Sequence, residues 1–228
     1  ASSEELLAGI NSALKQYSCR LIGGDTTKGE KLIISITAIG YMEGIHYIER
    51  DIAQVGDDVY ISGFPGCAAA GLFMFENNYP LDIKKKYNVL IEEHLNPTAQ
   101  LNLGRTLAIS GMVSAMQDVS DGLATDLAHI CKQSSVSAEI YKNKIPHRRE
   151  LIDFANEIRK SVTDFSLFGG DDYQLIFTVK QGKGVLLEKF IVEKGNILIP
   201  VTKIGKFKEG KGVILRDDKK SEEISFQG

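Results

Sequence analysis

Leu6, Leu7, Ile10, Leu14 and Tyr17 recur at the three-to-four-residue interval of one helix face, which predicts a helix through about Tyr17. Ser2 or Ser3 can cap it, and Glu4 and Glu5 fall in the first turn, where the helix dipole favours acids. The pattern then shortens. Residues 19–22 predict a short strand, and residues 31–42, β-branched and partly alternating, predict a longer one. A connection over 44–55 leads to a strand at 59–62 and a small-residue helix at 67–75. Lys84-Lys85-Lys86 opens a mixed helix that Asn96-Pro97 breaks. A helix over 99–110 follows, with Leu101, Leu103, Leu107 and Ala108 inward. The apolar run 112–116 then carries the chain as a strand into an acidic turn, and Leu123, Leu127, Ile130 and Cys131 resume the helical period. Strands are expected at 137–141, 175–179, 202–207 and 212–216. Helices are expected around Leu151, Ile152, Ala155 and Ile158 and over 185–194. The polar run 216–223 reads as a surface loop. Strands alternating with helices predict α/β layering.

Composition narrows this picture without changing it. The 228 residues are 43% hydrophobic and 25% charged, which suits one large globular domain or two small ones. A net charge of −3 offers no basic field, so no nucleic-acid partner is expected. Cys19, Cys67 and Cys131 are far apart and form no CxxC, which argues against a disulfide framework or structural zinc and suits a reducing, cytoplasmic compartment. No apolar run approaches the length of a membrane span, so no membrane contact is expected. The start at Ala1 and the abrupt end at Gly228 read as those of a fragment lacking material on both sides.

Three turns carry the candidate chemistry. In the first, Gly23-Gly24-Asp25-Thr26-Thr27-Lys28-Gly29, two glycines have the spacing of GxxxxGK[ST]. Glu30 stands in the lysine position and a strand is expected next, so it is not a P-loop. Asp25 is left among glycines that let backbone N–H groups approach a ligand, or it is the turn former of a hairpin. In the second, Asp118 and Asp121 flank Ser120 at a strand end beside a helix N-terminus. Carboxylates placed there can hold hard cations and the helix N–H groups can hold phosphate oxygens; the same residues are also ordinary N-caps. The third is Gly169-Gly170-Asp171-Asp172-Tyr173-Gln174. Three such turns, without a Cys or His cluster, point to oxygen ligands for Mg²⁺. An acidic site repels a phosphorylated substrate unless cations intervene, so the expected ligand is a metal-bound polyphosphate. Asp126, inside the helix after the second turn, is a supporting hydrogen-bond partner or an exposed residue. Asp57 and Asp58 are read as a turn and Tyr173 as a packing residue. His46, His94, His129 and His147 lack ligand spacing and are read as structural or surface residues. Gly63, Gly66 and Gly71 do not have dinucleotide-loop spacing.

Four segments in order, Leu21-Ile22-Gly23-Gly24-Asp25-Thr26-Thr27, Gly56-Asp57-Asp58-Val59-Tyr60-Ile61-Ser62-Gly63, Asp118-Val119-Ser120-Asp121-Gly122-Leu123 and Gly169-Gly170-Asp171-Asp172-Tyr173-Gln174-Leu175, resemble the thiamine-monophosphate kinase family. The likeness runs from residue 6 to about 179. Wider relatives are the aminoimidazole-ribonucleotide synthetase, selenophosphate synthetase and hydrogenase-maturation ATP-binding proteins. The resemblance implies an α/β (α+β layered), two-domain fold of the aminoimidazole-ribonucleotide-synthetase type, with mixed sheets packed by helices. Residues 1–45 would be the remainder of an N-terminal ATP- and Mg-binding, dimerising domain, and 46–228 a C-terminal α/β domain. The strand at 31–42 would join a partner's sheet in a homodimer. The implied reaction moves the γ-phosphoryl of ATP to thiamine monophosphate, giving thiamine diphosphate, with several Mg²⁺ ions. Gly24, Asp25, Arg50 and Ser120 would contact ATP; Asp25, Asp118 and Asp121 would bind Mg²⁺; Asp171 would face the thiamine side. No residue is cast as a general base, because an acceptor phosphate with a second pKa of about 6 is already mostly ionised. The family turn is usually Gly-Gly-Glu-Asp-Tyr-Glu, so Asp171 is one methylene shorter and Gln174 is neutral. The rival readings are another ATP-using enzyme of the superfamily and a non-catalytic nucleotide-binding dimer scaffold.

Overall fold

The structure, a computed structural model, describes residues 3–41, 47–194, 197–217 and 220–224. Ser2, the 42–46 stretch with His46 and the expected domain boundary, residues 195 and 196, residues 218 and 219 and the 225–228 end lie outside those residues. The chain divides into two compact units, Ala1–Tyr41 and Met42–Gly228.

The first unit holds α1 (Ser3–Gln16), where the periodicity predicts it, with Glu4 and Glu5 in its first turn. The two expected strands are absent from the described residues: neither 19–22 nor 31–41 joins a sheet. Alternation prepares a segment for a sheet, but a strand exists only where a second one supplies the ladder. The apolar side chains of this segment accordingly face water, with Ile33 85% and Ile36 78% exposed.

The second unit runs β1 (Asp58–Ser62), α2 (Cys67–Glu76), α3 (Leu81–Lys86), α4 (Asn88–Leu95), α5 (Leu101–Ser110), β2 (Val113–Asp118), α6 (Leu123–Ser134) and β3 (Ser137–Tyr141). A 3₁₀ turn at Lys142–Lys144 precedes α7 (Arg149–Glu157), α8 (Val162–Phe168), β4 (Leu175–Val179), α9 (Gly184–Lys194), β5 (Val201–Lys208), β6 (Gly212–Asp217) and β7 (Lys220–Ile224). The expected loop over 216–223 is therefore mostly strand: β7 pairs antiparallel with β6, and the ladder overrides a polar sequence that has no apolar alternation. The strands form one mixed sheet in the order β2-β4-β1-β5-β3-β6-β7, in which β3 and β6 are the parallel pair.

Both faces of this sheet are covered, so β1 is buried along its whole length. Alternate residues serve different layers. Val59 and Ile61 of β1 pack with Leu123, Leu127 and Ile130 of α6. Tyr60, between them, packs with Leu103 and Leu107 of α5 and Leu187 of α9. A third cluster lies among α2, α4 and α7 around Phe154, whose ring meets Phe73, Tyr79 and Tyr87. Asp118 ends β2 opposite Leu175, which begins β4, so the second and third acidic turns leave the sheet at the same edge and the same end.

Candidate functional site

The β2–β4 ladder continues past the strands into both turns. Val119 N–H donates to the Gln174 carbonyl (2.8 Å), Tyr173 N–H to the Val119 carbonyl (2.9 Å) and Asp171 N–H to the Ser120 carbonyl (2.9 Å). Gly170 permits this approach, because a Cβ there would run into the Ser120 carbonyl. The backbone at Asp171 and Tyr173 is held at φ 62° and 48°, a conformation that costs non-glycine residues free energy and that concentrates at functional sites. Asp118, Asp121 and Asp171 all emerge exposed on this rim. Tyr173 donates its hydroxyl to Asp171 Oδ1 at 3.3 Å, and the Asp171 charge, with Asp118 and Asp121 adding to it, pushes the phenol above its ordinary range. Tyr173 is 39% exposed, so it belongs to the rim and not to the core where packing was expected.

The expected capping of α6 takes another form. Its N-cap is Gly122, which makes no side-chain cap bond. Asp126, in the first turn of the helix, reaches back instead: Oδ2 accepts the N–H groups of Ser120 and Asp121 at 3.0 Å each. Its Oδ1 accepts Gln117 Nε2 at 2.7 Å. Asp126 is 0% exposed, and burial pushes its carboxyl above the ordinary range against the pull of those N–H groups. The N–H groups of Ser120 and Asp121 are thereby occupied, and the turn presents its side chains.

Arg50 comes to the same end of the sheet. Met116 N–H donates to the Glu49 carbonyl (3.1 Å), and Ser134 Oγ on α6 lies 3.5 Å from the Arg50 carbonyl and accepts the Ala53 N–H at 3.1 Å. Arg50 and Asp118 line one open cleft of about 730 Å³. Asp171 lines a different cavity, of about 380 Å³, with Leu72, Phe165 and Phe168 on its apolar side and His94 and Lys160 among its polar groups. The acidic rim thus runs from a cleft at Asp118 to a cavity at Asp171. Gly24 and Asp25 lie in the 1–41 unit. There Asp25 Oδ1 accepts the Thr26 N–H at 2.7 Å, and a Cβ on Gly24 would meet nothing within 4 Å.

Two residues of the third turn face inward. Gln174 Oε1 accepts from Ser62 Oγ at 2.9 Å, so the neutral amide fills a buried position and takes no part in the rim. The sequence shows Asp172 only as one acid of the third turn, with no sign of its inward role. Asp172 caps α2 from far along the chain, accepting the N–H groups of Gly66 (2.6 Å) and Ala68 (3.1 Å). Burial pushes its carboxyl up to about 7, although those two N–H bonds pull it down. The folded state therefore retains a proton that the unfolded chain, with a carboxyl near 3.9, releases. The Asp172 contribution to stability is full below about pH 4 and is lost as pH rises through about 7, at up to ~1.4 kcal/mol per pH unit. Urea unfolding across pH 4–8 is expected to show the destabilisation caused by Asp172→Asn shrinking as pH rises; a constant difference would show that Asp172 keeps its ordinary pKa. Asp57 is likewise more than a turn former, since its buried Oδ2 accepts from Gln54 N–H (3.1 Å) and Ser114 Oγ (2.5 Å).

Among the described residues no three His, Cys, Asp or Glu side chains close on one point as a ready-made metal cage, and no helix is long and apolar enough to cross a membrane. A thiamine-monophosphate kinase of Aquifex aeolicus is 34% identical over 223 residues, covering 96% of this chain and 66% of its own length. That of Haemophilus influenzae is 38% identical over 197 residues, covering 86% and 57%. A structure described as AaThiL complexed with AMPPCP and TMP superposes with a TM-score of 0.73 at 30% identity, over 93% of this chain and 63% of that one. The chain spans 57 to 66% of the length of these two curated relatives. The family model for AIR synthase related protein, N-terminal domain, matches residues 2–42. The model for the C-terminal domain of the same proteins matches residues 54–223, most of the chain, and the protein belongs to this AIR synthase related family.

Proposed function

We propose that the protein is a thiamine-monophosphate kinase, moving the γ-phosphoryl of ATP to the phosphate of thiamine monophosphate. The observation that carries this is the acidic rim with a cleft at one end and a cavity at the other, in a chain similar to a protein solved with AMPPCP and TMP. The cleft is the nucleotide side. Arg50, which lines it, offers the planar fork of donors that phosphate oxygens accept. Ser120, in the adjoining turn, is assigned to ATP on its motif. The cavity is the acceptor side, within the size range of small-molecule sites, about 300–1,000 Å³. Its aromatic and aliphatic wall suits the organic part of the acceptor. Asp171, oriented by Tyr173, faces that part across the mouth.

The donor set fits Mg²⁺. The rim supplies hard carboxylate oxygens, and Mg²⁺ keeps several waters and takes one or two carboxylates plus substrate phosphates, so a closed protein cage is not needed. Asp118 and Asp121 would hold it. Gly24 and Asp25 are assigned to ATP, and Asp25 also to Mg²⁺, on their motif alone. Held there, Mg²⁺ would supply charge neutralisation for the phosphates. No residue need remove a proton, since the acceptor phosphate is mostly ionised at pH 7. What the protein contributes is alignment and the exclusion of misplaced acceptors.

The working protein is read as a cytoplasmic homodimer. The exposed isoleucines of 31–41 support pairing with a second copy, and the free thiols of Cys19, Cys67 and Cys131 suit a reducing compartment. The test is to incubate the complete protein with ATP, Mg²⁺ and thiamine monophosphate. Thiamine diphosphate is the expected product; ATP binding without it would sink the proposal.

A further inference from the structure

We propose that Asp126 is a positioning residue that fixes the 118–122 turn as a cation-facing edge. α6 begins at Leu123 after its Gly122 cap, so the N–H groups of Ser120 and Asp121 belong to the turn that leads into the helix. Here the N–H groups of Ser120 and Asp121 point inward to one oxygen of a fully buried carboxylate. The other oxygen takes the Gln117 amide at 2.7 Å, so a single side chain ties the end of β2 to the start of α6 across the turn. His129 Nδ1 stands 3.8 Å from the same oxygen. On the outer side, the carbonyls of Val119 and Ser120 are occupied by Tyr173 and Asp171. The backbone of the turn is therefore engaged on both sides, and the side chains of Asp118 and Asp121 are left exposed, with Ser120 partly buried. Burying a carboxylate is costly unless donors surround it, and three donors do so here. A backbone so held fixes the direction of the two exposed carboxylates it carries.

The inference rests on the proposed kinase reading for its metal, and its test separates the two. Mn²⁺, a spectroscopic substitute for Mg²⁺, is titrated into the complete protein with AMPPCP present, and the free ion is read by electron paramagnetic resonance. Asp126→Asn keeps the size but leaves one acceptor oxygen where two are used, and it is expected to weaken Mn²⁺ binding by about 10- to 100-fold. The Mg²⁺ concentration for half-maximal rate rises with it, while the KM for thiamine monophosphate holds. Gln117→Met removes one donor and leaves Asp126 in place, and a smaller weakening in the same direction is expected. Thr178→Val is the control. It removes buried bonds to Ser114 Oγ and the Ala115 N–H within the same sheet, away from the turn, and should lower stability with Mn²⁺ binding unchanged. Unchanged Mn²⁺ affinity in Asp126→Asn, or an equal loss in Thr178→Val, overturns the inference. Wild-type protein that binds Mn²⁺ but forms no thiamine diphosphate overturns the kinase reading alone, and the Asp126 comparison is then decided by Mn²⁺ binding.

Discussion

Asp118→Asn and Asp121→Asn are each expected to lower thiamine diphosphate formation by about 100-fold or more while leaving the fold intact. The magnitude follows from the several kcal/mol of charge stabilisation that a correctly held metal supplies, at about 1.4 kcal/mol per tenfold in rate. The fold should persist because both carboxylates are exposed and neither takes part in the ladder that joins the two turns, which is made by backbone groups. Asparagine keeps the size and removes the charge, so the comparison isolates cation holding. Initial rates at saturating Mg²⁺, together with urea unfolding, decide the matter. Wild-type rates in both variants would remove these residues from the site; a loss of rate matched by a loss of folded protein would assign them to structure.

Gly170→Ala should damage both activity and stability. The added Cβ runs into the Ser120 carbonyl, which also accepts the Asp171 N–H. Either that carbonyl turns away and breaks the ladder, or the third turn lifts off the second. Overpacking of this kind costs about 1–3 kcal/mol. A displacement of roughly 1 Å at a reacting centre costs about 100-fold in rate. Gly104→Ala is the matched control. It lies within α5, its Cβ would meet only Leu175 Cδ1 at 3.6 Å and Met116 Cε at 3.9 Å, and alanine there should stabilise by about 0.5–1 kcal/mol. Unfolding midpoints and rates for the pair test the claim. A Gly170→Ala protein with wild-type rate and midpoint would mean that contact between the two turns is not needed.

Much of the fold was legible because its signals are local. The runs around Tyr60, Ile140 and Ile176 read as strands, and Leu123, Leu127 and Ile130 as a helix face, because such patterns are written into neighbouring residues. The missed elements lacked that writing. α8 is only seven residues long, although Ser161, whose Oγ accepts the Asp164 N–H, was a cap that sequence reading passed over. β7 is polar and becomes a strand through pairing with β6. The 31–42 segment erred the other way: its alternation is real, and 31–41 has no partner among the described residues.

The site divides along the same line. The residues of the 118–121 and 169–174 turns, and the oxygen-donor chemistry they suit, came from composition and spacing, since carboxylates among glycines and serines carry that meaning wherever they stand. Which carboxylates face outward did not. Asp171 and Asp172 are neighbours, yet one lies on the rim and the other caps α2 from the interior, because α2 arrives there through a pairing more than 100 residues distant in sequence. Asp121 and Asp126 separate for the same reason, one exposed and one buried beneath its own turn. Sequence indicated most of the elements and the oxygen-donor character of the turns, because backbone preference and side-chain chemistry are properties of the residue. The tertiary structure decided which acids share a rim and which hold it in place, because hydrogen-bond partners and burial are set by segments that meet only in the fold.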